Sequence, residues 1–380
     1  MLGVTLLQFP SPFALDRGEF FGQFLGEAFQ MFFIPLARRV ASAFFALCLG
    51  YATHASAQQI TLKLHQLVPP TATAHARFLV PWVERIEKES NDLIKIQIYP
   101  AMQLGGSMSQ LLDQVADGVV DIVWALPGSS AGRYPAFEAF ELPFMTKTAQ
   151  GSSRALWEYV HANKIEQTEF KSVKLLATHV HDEGVIHTID KPIRTMADFK
   201  GLKLRTSNRW VTKLLAILGA TPVGMPVGEV PDALSKHVID GAAMPWEIVP
   251  SLKVHELVKF HSETDPKSRA LYTTGFVVAM NPAKYASLPD DLKRVIDANS
   301  GADFSAIAGK MWDEAAAPHR KLAEARGNQI SVISQQELKH WAKVSQTVFD
   351  AWFKEVGAKG WDGPALLKSA KQLVERFDPN

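Results

Sequence analysis

Hydrophobic and polar residues alternate along the chain in patterns that predict strands and helices in turn. Residues 60–65 and 93–99 alternate with a period of two, which is typical of half-buried strands. Residues 74–90 and 107–117 instead repeat apolar side chains at helical spacing. Residues 119–124 are almost continuously apolar, as in a strand that is buried on both faces. This order predicts βαβ units in a mostly parallel sheet.

A second set of elements is predicted after residue 173. Its strands are predicted at 173–180, at 202–205, directly after Asp240, at 257–261 and at 271–280. Its helices are predicted at 210–218 and, beyond Pro289, at 290–316, 335–356 and 364–377. The strands at 173–180 and 271–280 are long enough to cross between two lobes. We therefore predict a two-lobe α/β fold with a helical carboxyl-terminal region across both lobes.

A faint internal repeat supports two related lobes. Residues 113–121 align without gaps on residues 232–240. Each copy predicts the end of a helix, a left-handed turn at Gly118 or His237, and a strand that opens with an aspartate. Chance similarity between short helix–strand turns is the alternative explanation.

The amino-terminal region has the pattern of an export signal. The pair Arg38-Arg39 precedes an apolar stretch at 40–50 and the small residues 55–57, so we predict cleavage before Gln58. The apolar stretch is short for a membrane anchor. Met31 is the predicted start of translation, and a signal with an extended leading region over residues 1–30 is the alternative.

Composition narrows the classes of partner. The chain has 40 basic and 39 acidic residues, a net charge of +1, and no basic stripe, which disfavours nucleic acid and anionic membrane surfaces. Its single cysteine, Cys48, lies in the predicted signal after Leu47, a poor residue for lipoprotein processing. The exported protein therefore has no disulfide, and we expect its core to stabilise it. Localisation in the periplasm is the expectation.

Candidate ligand contacts lie where predicted strands end, because ligands of parallel sheets bind at the carboxyl ends of strands. These positions include His65, Trp124 and Arg205. Arg205 is followed by Thr206-Ser207-Asn208, three candidate caps for the next helix. A planar guanidinium beside a helix amino terminus is well suited to hold a carboxylate.

Four segments, at residues 187–205, 218–226, 238–241 and 274–282, together resemble the solute-binding subunits of tripartite ATP-independent periplasmic (TRAP) transporters. The resemblance covers most of the chain after the predicted signal, in the family's order. It implies a periplasmic-binding-protein fold of type II-like architecture and a carboxylate partner for Arg205. It also implies a receptor with no catalytic activity and no cofactor, which delivers a small organic acid to a small and a large membrane subunit.

We predict that one lobe comprises residues 58–182 and 271–305, and that the other comprises residues 183–270 and 306–380. Residues 1–57 form the upstream segment and the signal.

Two departures from the family pattern bear on the ligand. Members of the family often carry a second arginine after the residue equivalent to Gly184, but this chain reads Gly184-Val-Ile-His187. A monocarboxylate is therefore expected rather than a dicarboxylate or an acidic sugar. Met244 stands where the family commonly has asparagine, and Trp246 follows closely, which makes the site more apolar. An aromatic or branched 2-oxo or 2-hydroxy acid is therefore favoured.

The predicted contacts combine one charged anchor with polar and aromatic side chains. They are Arg205, Trp124, Trp246, Met244, Phe144, Gln66, His65, His181, His187, Asn208 and Phe276. Packing in the hinge or core is the alternative role for Trp246 and Phe144.

Three further hypotheses remain open on the sequence. Asp240 and Glu247 are weak candidates for a divalent cation beside the ligand, although Asp240 is also suited to order its own turn. His179 and His181, on one face of a predicted strand, are compatible with a metal-dependent hydrolase. A receptor for another importer, or a sensor of organic acids, would share the same two-lobe design.

Overall fold

The computed structural model describes residues 59–379. The predicted start at Met31, the signal with Cys48 and the cleavage site before Gln58 lie outside these residues. Among residues 59–379, no helix is long and apolar enough to cross a membrane.

Eleven strands are defined in the described range. They are β1 (Ile60–Gln66), β2 (Ile94–Tyr99), β3 (Ile122–Ala125), β4 (Lys174–Val180), β5 (Gly184–Thr188), β6 (Lys203–Thr206), β7 (Thr221–Gly224), β8 (Gly241–Pro245), β9 (Phe260–Thr264), β10 (Gly275–Met280) and β11 (Gln329–Ile333).

The α-helices of the described range are numbered in the same way. They are α1 (Val80–Glu89), α2 (Leu111–Ala116), α3 (Ala149–Ala162), α4 (Arg209–Leu218), α5 (Val230–Ser235), α6 (Val254–Leu257), α7 (Pro282–Ala286), α8 (Asp290–Ala298), α9 (Ala302–Ala325), α10 (Gln335–Val344), α11 (Gln346–Ala358) and α12 (Gly363–Phe377). A π-helical turn at His75–Leu79 leads into α1.

The strands form two sheets, which confirms the predicted α/β fold. In the first sheet the order is β2-β1-β3-β10-β4, with β1 parallel to β2 and β3 and with β10 antiparallel to both of its neighbours. In the second sheet the order is β11-β9-β5-β8-β6-β7. The strands of the first sheet fall within residues 58–182 and 271–305, and those of the second within 183–270 and 306–380. Each sheet forms the centre of one lobe.

The two crossings that were expected within strands are made by loops. β4 and β10 pair with each other in the first sheet, so neither strand passes into the second lobe. Residues 181–183 carry the chain from the first sheet to the second, and residues 265–274 carry it back. α9 later leads the chain to β11 in the second sheet again. Residues 271–274 do not continue β10, because their polar groups bond across the crossing instead: Thr273 Oγ1 donates to the carbonyl of His181 at 2.9 Å.

The carboxyl-terminal region differs from the all-helical prediction beyond Pro289. Gln329–Ile333 forms β11, parallel to β9, and its apolar–polar alternation is a strand signal that the helical interpretation overlooked. The predicted helix at 290–316 is divided at Gly301, where φ is +94°. The strand predicted at 257–261 begins only at Phe260, because residues 254–257 form α6.

The last two helices pack on the first lobe, although residues 306–380 were assigned to the second. Trp352 and Val374 belong to one buried apolar cluster with Phe140 and Tyr159 of the first lobe. α10 instead packs Trp341 against Phe199 of the second lobe, with ring centroids 5.2 Å apart. α9 contacts both α3 and the turn that follows β8. The helical region thus spans both lobes, as the predicted fold requires.

The internal repeat corresponds to a repeated structural device. Gly118 and His237 both adopt positive φ, at +74° and +52°, between a helix and a strand. The aspartates that follow are equivalent: Asp121 Oδ2 accepts from the backbone N–H of Lys63, and Asp240 Oδ2 from that of Lys203, each at 2.7 Å. Each carboxylate ties the amino end of the strand that follows it to the neighbouring parallel strand.

A buried ion-pair cluster joins the two lobes. Arg209, at the start of α4, donates from Nε to the fully buried Glu138 of the first lobe at 3.0 Å and also pairs with Glu355 of α11. The indole N–H of Trp210 donates to the same Glu138 carboxylate at 2.9 Å. Desolvation raises the pKa of Glu138, and the Arg209 charge opposes that rise.

The exchange Arg209→Ala is expected to reduce the free energy of unfolding by about 3–5 kcal/mol, because it leaves the buried carboxylate of Glu138 without its cation. Urea unfolding of the wild type and the variant measures the difference. Arg77→Ala is the matched control, since Arg77 and Glu314 form a half-exposed pair that is worth about 0–1 kcal/mol. Equal losses in the two variants would contradict the role assigned to the cluster.

Two buried histidines connect neighbouring strands of the second sheet. His187 of β5 and His261 of β9 are register partners, and their Nδ1 atoms lie 2.6 Å apart. His187 Nε2–H donates to the carbonyl of Met244 at 3.1 Å, so its Nδ1 accepts from His261. His261 Nε2 accepts in turn from the amide of Asn328 at 2.9 Å. Both rings are neutral, because burial lowers the pKa of His187 to about 4 and that of His261 to about 2.

This histidine pair predicts a loss of stability in acid. Because both folded-state pKa values lie below the ordinary 6.5, the contribution is complete above pH 6.5 and is lost as the pH falls toward 4. His261→Gln keeps both hydrogen bonds but cannot titrate. Between pH 7.5 and pH 5 the wild type should lose about 2 kcal/mol more unfolding free energy than this variant.

Urea unfolding at the two pH values measures the difference. The exposed His340→Gln should behave as the wild type does. Identical losses in the wild type and His261→Gln would rule out His261 as an acid-sensitive residue.

Candidate functional site

A cleft of about 550 Å³, part of it open to solvent, lies between the two lobes. It is reached by the carboxyl ends of β1, β3, β6 and β8 and by the amino end of the antiparallel β10. Eleven of its sixteen lining residues are apolar. The lining comprises Leu67, Val68, Met108, Trp124, Leu126, His181, Arg205, Ser207, Val227, Met244, Pro245, Glu247, Ile248, Thr274, Phe276 and Trp312. Both lobes contribute to it, as expected for a site that closes by a hinge.

Arg205 is the one cation in this lining, and its side chain is 4 % exposed. Two backbone carbonyls orient it: Nε donates to Met225 O and Nη1 to Ala243 O, each at 3.1 Å. No carboxylate among residues 59–379 forms an ion pair with it, and no acceptor in that range engages Nη2. Burial lowers the pKa of Arg205 to about 10, which leaves it charged at neutral pH. A buried cation without an anion is costly unless a ligand supplies one.

The hydroxyl groups beside Arg205 come from both lobes. Ser207 Oγ and Thr274 Oγ1 lie 3.1 Å apart, and both residues line the cleft. Asn208, which was predicted as a contact, caps α4 instead: its Oδ1 accepts from Trp210 N and Val211 N at 3.0 and 2.9 Å. Its Nδ2 donates to Thr274 Oγ1 at 3.2 Å, so Asn208 positions the wall without lining it.

A stack of aromatic rings forms one wall of the cleft. The rings of Trp124 and Phe276 are 5.0 Å apart and nearly parallel, and Trp312 stacks on Phe276 at 5.7 Å. Behind them, His179 lies parallel to Phe276 at 4.8 Å and accepts from the indole N–H of Trp124 at 2.8 Å. Flat rings arranged in this way favour the face of another planar group.

His181 lines the cleft as a neutral ring. Its Nδ1–H donates to the carbonyl of Asp182, which leaves Nε2 as an acceptor. Burial lowers its pKa to about 4, and the nearby charge of Arg205 adds to that effect. His181 and His179 do not form a shared metal site, because both nitrogens of His179 are occupied, Nε2 by Trp124 and Nδ1 by the carbonyl of Val180 at 3.3 Å.

Trp246 and His187 lie behind the cleft rather than in its lining. The indole N–H of Trp246 donates to Glu263 at 2.8 Å, and its ring packs edge-on against His187 at 5.1 Å. His187 reaches the site only through the carbonyl of Met244. The structure thus places Trp246 in packing behind the lining, which agrees with the alternative role. Met244 itself lines the cleft.

His65 and Gln66 shape the loop after β1 and do not reach the cleft. His65 Nδ1–H donates to the Gln114 side chain at 2.7 Å, and its Nε2 accepts from the backbone N–H of Leu104 at 3.3 Å. Gln66 bonds both backbone groups of Val68, which places Leu67 and Val68 in the lining.

Phe144 lies away from the cleft. Its backbone is left-handed, with φ of +57°, and it lines a separate, more polar cavity. That cavity includes Arg269 and the α12 residues Lys371 and Glu375.

The two candidate cation ligands, Asp240 and Glu247, have different structural roles. Asp240 ties strands at the opposite end of β8, as described above. Glu247 lines the cleft, and its Oε1 accepts from the backbone N–H of Ala74 in the first lobe at 2.5 Å. Burial raises the pKa of Glu247 to about 7. Residues 59–379 contain no group of three or more His, Cys, Asp or Glu placed to hold a metal ion.

Several lining residues were not predicted. Trp312 comes from α9, far along the chain from Trp124, and only the apolar face of that helix was visible in the sequence. Met108, Val227 and Ile248 lie in short turns whose apolar residues carried no signal of their own. Which turn faces a cleft depends on the packing of the two lobes.

Residues 128–132 match the pattern Gly-x-Ser-x-Gly. This motif is typical of nucleophilic serines on a strand–helix turn. Here Ser130 follows a 3₁₀ turn, and its hydroxyl donates to the carbonyl of Ser109 at 2.8 Å. No histidine within residues 59–379 bonds to that hydroxyl, so the motif forms no catalytic pair in the described chain.

Solved structures of TRAP solute-binding proteins resemble this chain along most of its length. One from Rhodoferax ferrireducens T118, in complex with copurified benzoate, is 48 % identical, with a TM-score of 0.82, and the match covers 84 % of this chain and 98 % of that one. One from a marine metagenome, specific for aromatic acid ligands and co-crystallised with 3-hydroxybenzoate, is 47 % identical, with a TM-score of 0.81 and coverages of 84 % and 99 %.

A third structure, a TRAP periplasmic solute-binding protein from Bordetella bronchiseptica, contains bound (R)- and (S)-mandelate. It is 28 % identical, with a TM-score of 0.77, and the match covers 84 % of this chain and all of that one. These likenesses confirm the predicted two-lobe fold. The model of the bacterial extracellular solute-binding proteins of family 7 matches residues 65–355. The chain therefore belongs to family 7 of the bacterial extracellular solute-binding proteins (DctP), the solute receptors of TRAP transporters.

Proposed function

We propose that this protein captures a small aromatic monocarboxylate in the periplasm and delivers it to the small and large membrane subunits of a TRAP permease. The observation that carries the proposal is the buried guanidinium of Arg205, which has no acidic partner among residues 59–379 and lies in a cleft with an aromatic wall. Related structures contain benzoate, 3-hydroxybenzoate and mandelate.

The charge of the cleft supports a single carboxylate. Arg205 is the one cation in the lining, so one anionic group is neutralised on binding. The acidic side chain in the same lining, Glu247, would repel a second carboxylate. A C4-dicarboxylate would therefore keep one charge buried and unpaired, which disfavours its binding.

The shape of the lining supports a planar apolar body. Trp124, Phe276 and Trp312 present stacked rings, and Met244 and Ile248 add apolar groups from the other lobe. Branched 2-oxo and 2-hydroxy acids would also fill an apolar cleft but would gain less from ring stacking. We expect binding to require neither a metal ion nor another cofactor.

Ligand-driven closure follows from contributions by both lobes. A solute that touches Arg205 in the second lobe and Trp124 in the first gains both contacts only when the cleft is closed. Closure is favoured by that difference in contacts and not by affinity alone. The crossings at 181–183 and 265–274 are loop segments where the backbone can bend. The closed form would then be the one that the permease recognises.

Arg205→Met is expected to weaken binding of benzoate by roughly thirty- to several-thousand-fold, because the carboxylate loses a buried, charge-assisted partner. The melting temperature of the ligand-free protein should not fall, since the exchange removes a buried cation that has no partner. Calorimetric titration and thermal melting measure the two effects. Lys203→Met, at the exposed first residue of the same strand, is the control and should bind normally. Unaltered benzoate affinity in Arg205→Met would refute the anchor.

A thermal-shift screen of protein freed from co-purified solute tests the ligand class. The panel contains benzoate, mandelate, a branched 2-oxo acid, succinate and glucuronate. Ligand at about 100 times its dissociation constant stabilises the protein by about 2.7 kcal/mol. We expect the largest shifts with the aromatic acids. Larger shifts with succinate or glucuronate would overturn the monocarboxylate assignment.

A further inference from the structure

Two buried polar atoms in the cleft lining lack hydrogen-bond partners within residues 59–379. Glu247 is fully buried, and while its Oε1 accepts from Ala74, its Oε2 has no donor. The indole N–H of Trp312, a residue that is 3 % exposed, has no acceptor. Native proteins rarely leave such groups unpaired, because each one loses its hydrogen bonds to water on burial. One of the two atoms is an acceptor and the other is a donor.

The two residues come from elements that touch. Trp312 lies on α9, which packs against the 3₁₀ turn Trp246–Ile248 that carries Glu247. Both residues line the same cleft as Arg205, yet Arg205 does not contribute to the shifted pKa of Glu247. The ring of Trp312 stacks on Phe276. The unpaired atoms therefore belong to residues that line the cleft beside its aromatic wall.

A hydroxyl group carries both the donor and the acceptor that these two atoms require. Its O–H donates to Glu247 Oε2, and its oxygen accepts from Trp312 Nε1–H. An ammonium or amide nitrogen would offer no acceptor to the indole. A second carboxylate would accept from the indole but would face the acidic side chain of Glu247. Among common ring substituents, the hydroxyl fits both requirements.

We propose that Glu247 and Trp312 form a hydroxyl-binding subsite, so that the preferred ligand is a hydroxylated aromatic monocarboxylate with its carboxylate on Arg205. This inference rests on the proposed function and narrows its ligand. Under this proposal, Glu247 and Trp312 determine the preference for hydroxylated over unsubstituted aromatic acids, whereas Arg205 binds the carboxylate that both kinds of acid share.

The test compares dissociation constants for benzoate and for 2-, 3- and 4-hydroxybenzoate, measured by calorimetric titration at pH 8. We expect at least one hydroxylated isomer to bind the wild-type protein about tenfold more tightly than benzoate. The readout is the dissociation constant of benzoate divided by that of the tightest hydroxylated isomer. In Trp312→Phe, which keeps a ring but lacks the N–H, this ratio should fall to near one. The same is expected in Glu247→Gln, whose amide can pair with Ala74 but then presents a donor to the ligand O–H.

Trp246→Phe is the matched control. In the wild type, the indole N–H of Trp246 donates to Glu263, and Trp246 does not line the cleft. The variant should therefore keep the wild-type ratio. Thermal melting of each variant verifies folding. Because the readout is a ratio within one variant, a general loss of affinity does not imitate the predicted effect.

The outcomes separate the two proposals. If benzoate binds and no hydroxylated isomer binds more tightly, or if both variants keep the wild-type ratio, the hydroxyl subsite is wrong while the proposed function stands. If neither benzoate nor any isomer binds the wild-type protein, the proposed function fails and the subsite fails with it.

Discussion

The cleft is organised around one buried cation, Arg205, that has no anionic partner among residues 59–379. Two backbone carbonyls hold Arg205 and orient the guanidinium without neutralising it. A protein carboxylate in place of these carbonyls would form an internal ion pair with Arg205, and an external anion would then gain little by binding there. Under the proposed function, the apolar lining would strengthen the attraction between Arg205 and a bound carboxylate.

Much of the fold could be predicted from the sequence, since its signals are local. Alternation identified β1, β2 and β6, and helical spacing identified α1 and α4 to within a few residues. Arg205 could be placed at a strand end for the same reason. What failed was information that only the packing supplies. β11 lies between two predicted helices in a region that was expected to be helical, and the crossings at 181–183 and 265–274 use loop hydrogen bonds that have no periodic pattern.

The side chains of the site divide in the same way. Trp124, Met244, His181 and Phe276 lie in the cleft because they occupy or adjoin strand ends. Trp246, His65 and Gln66 were equally plausible by position, but each bonds to a neighbouring protein group. A sequence shows which polar residues are near a strand end, whereas it does not show whether a fold has already satisfied them. Trp312 could not be predicted as a lining residue, because it lies on a helix and the strand-end residues beside it are distant in the sequence.

The aspartate device shared by the lobes gives the cleft a direction. Counting two residues from Lys63 and Lys203, whose N–H groups meet the equivalent aspartates, leads to His65 in one lobe and Arg205 in the other. The two positions correspond, yet the imidazole is fully engaged by its own lobe and the guanidinium is not. A duplicated framework thus carries its charge on one side only. Under the proposed function, an acid that enters the cleft would therefore have a single favourable orientation, with its head group toward the second lobe.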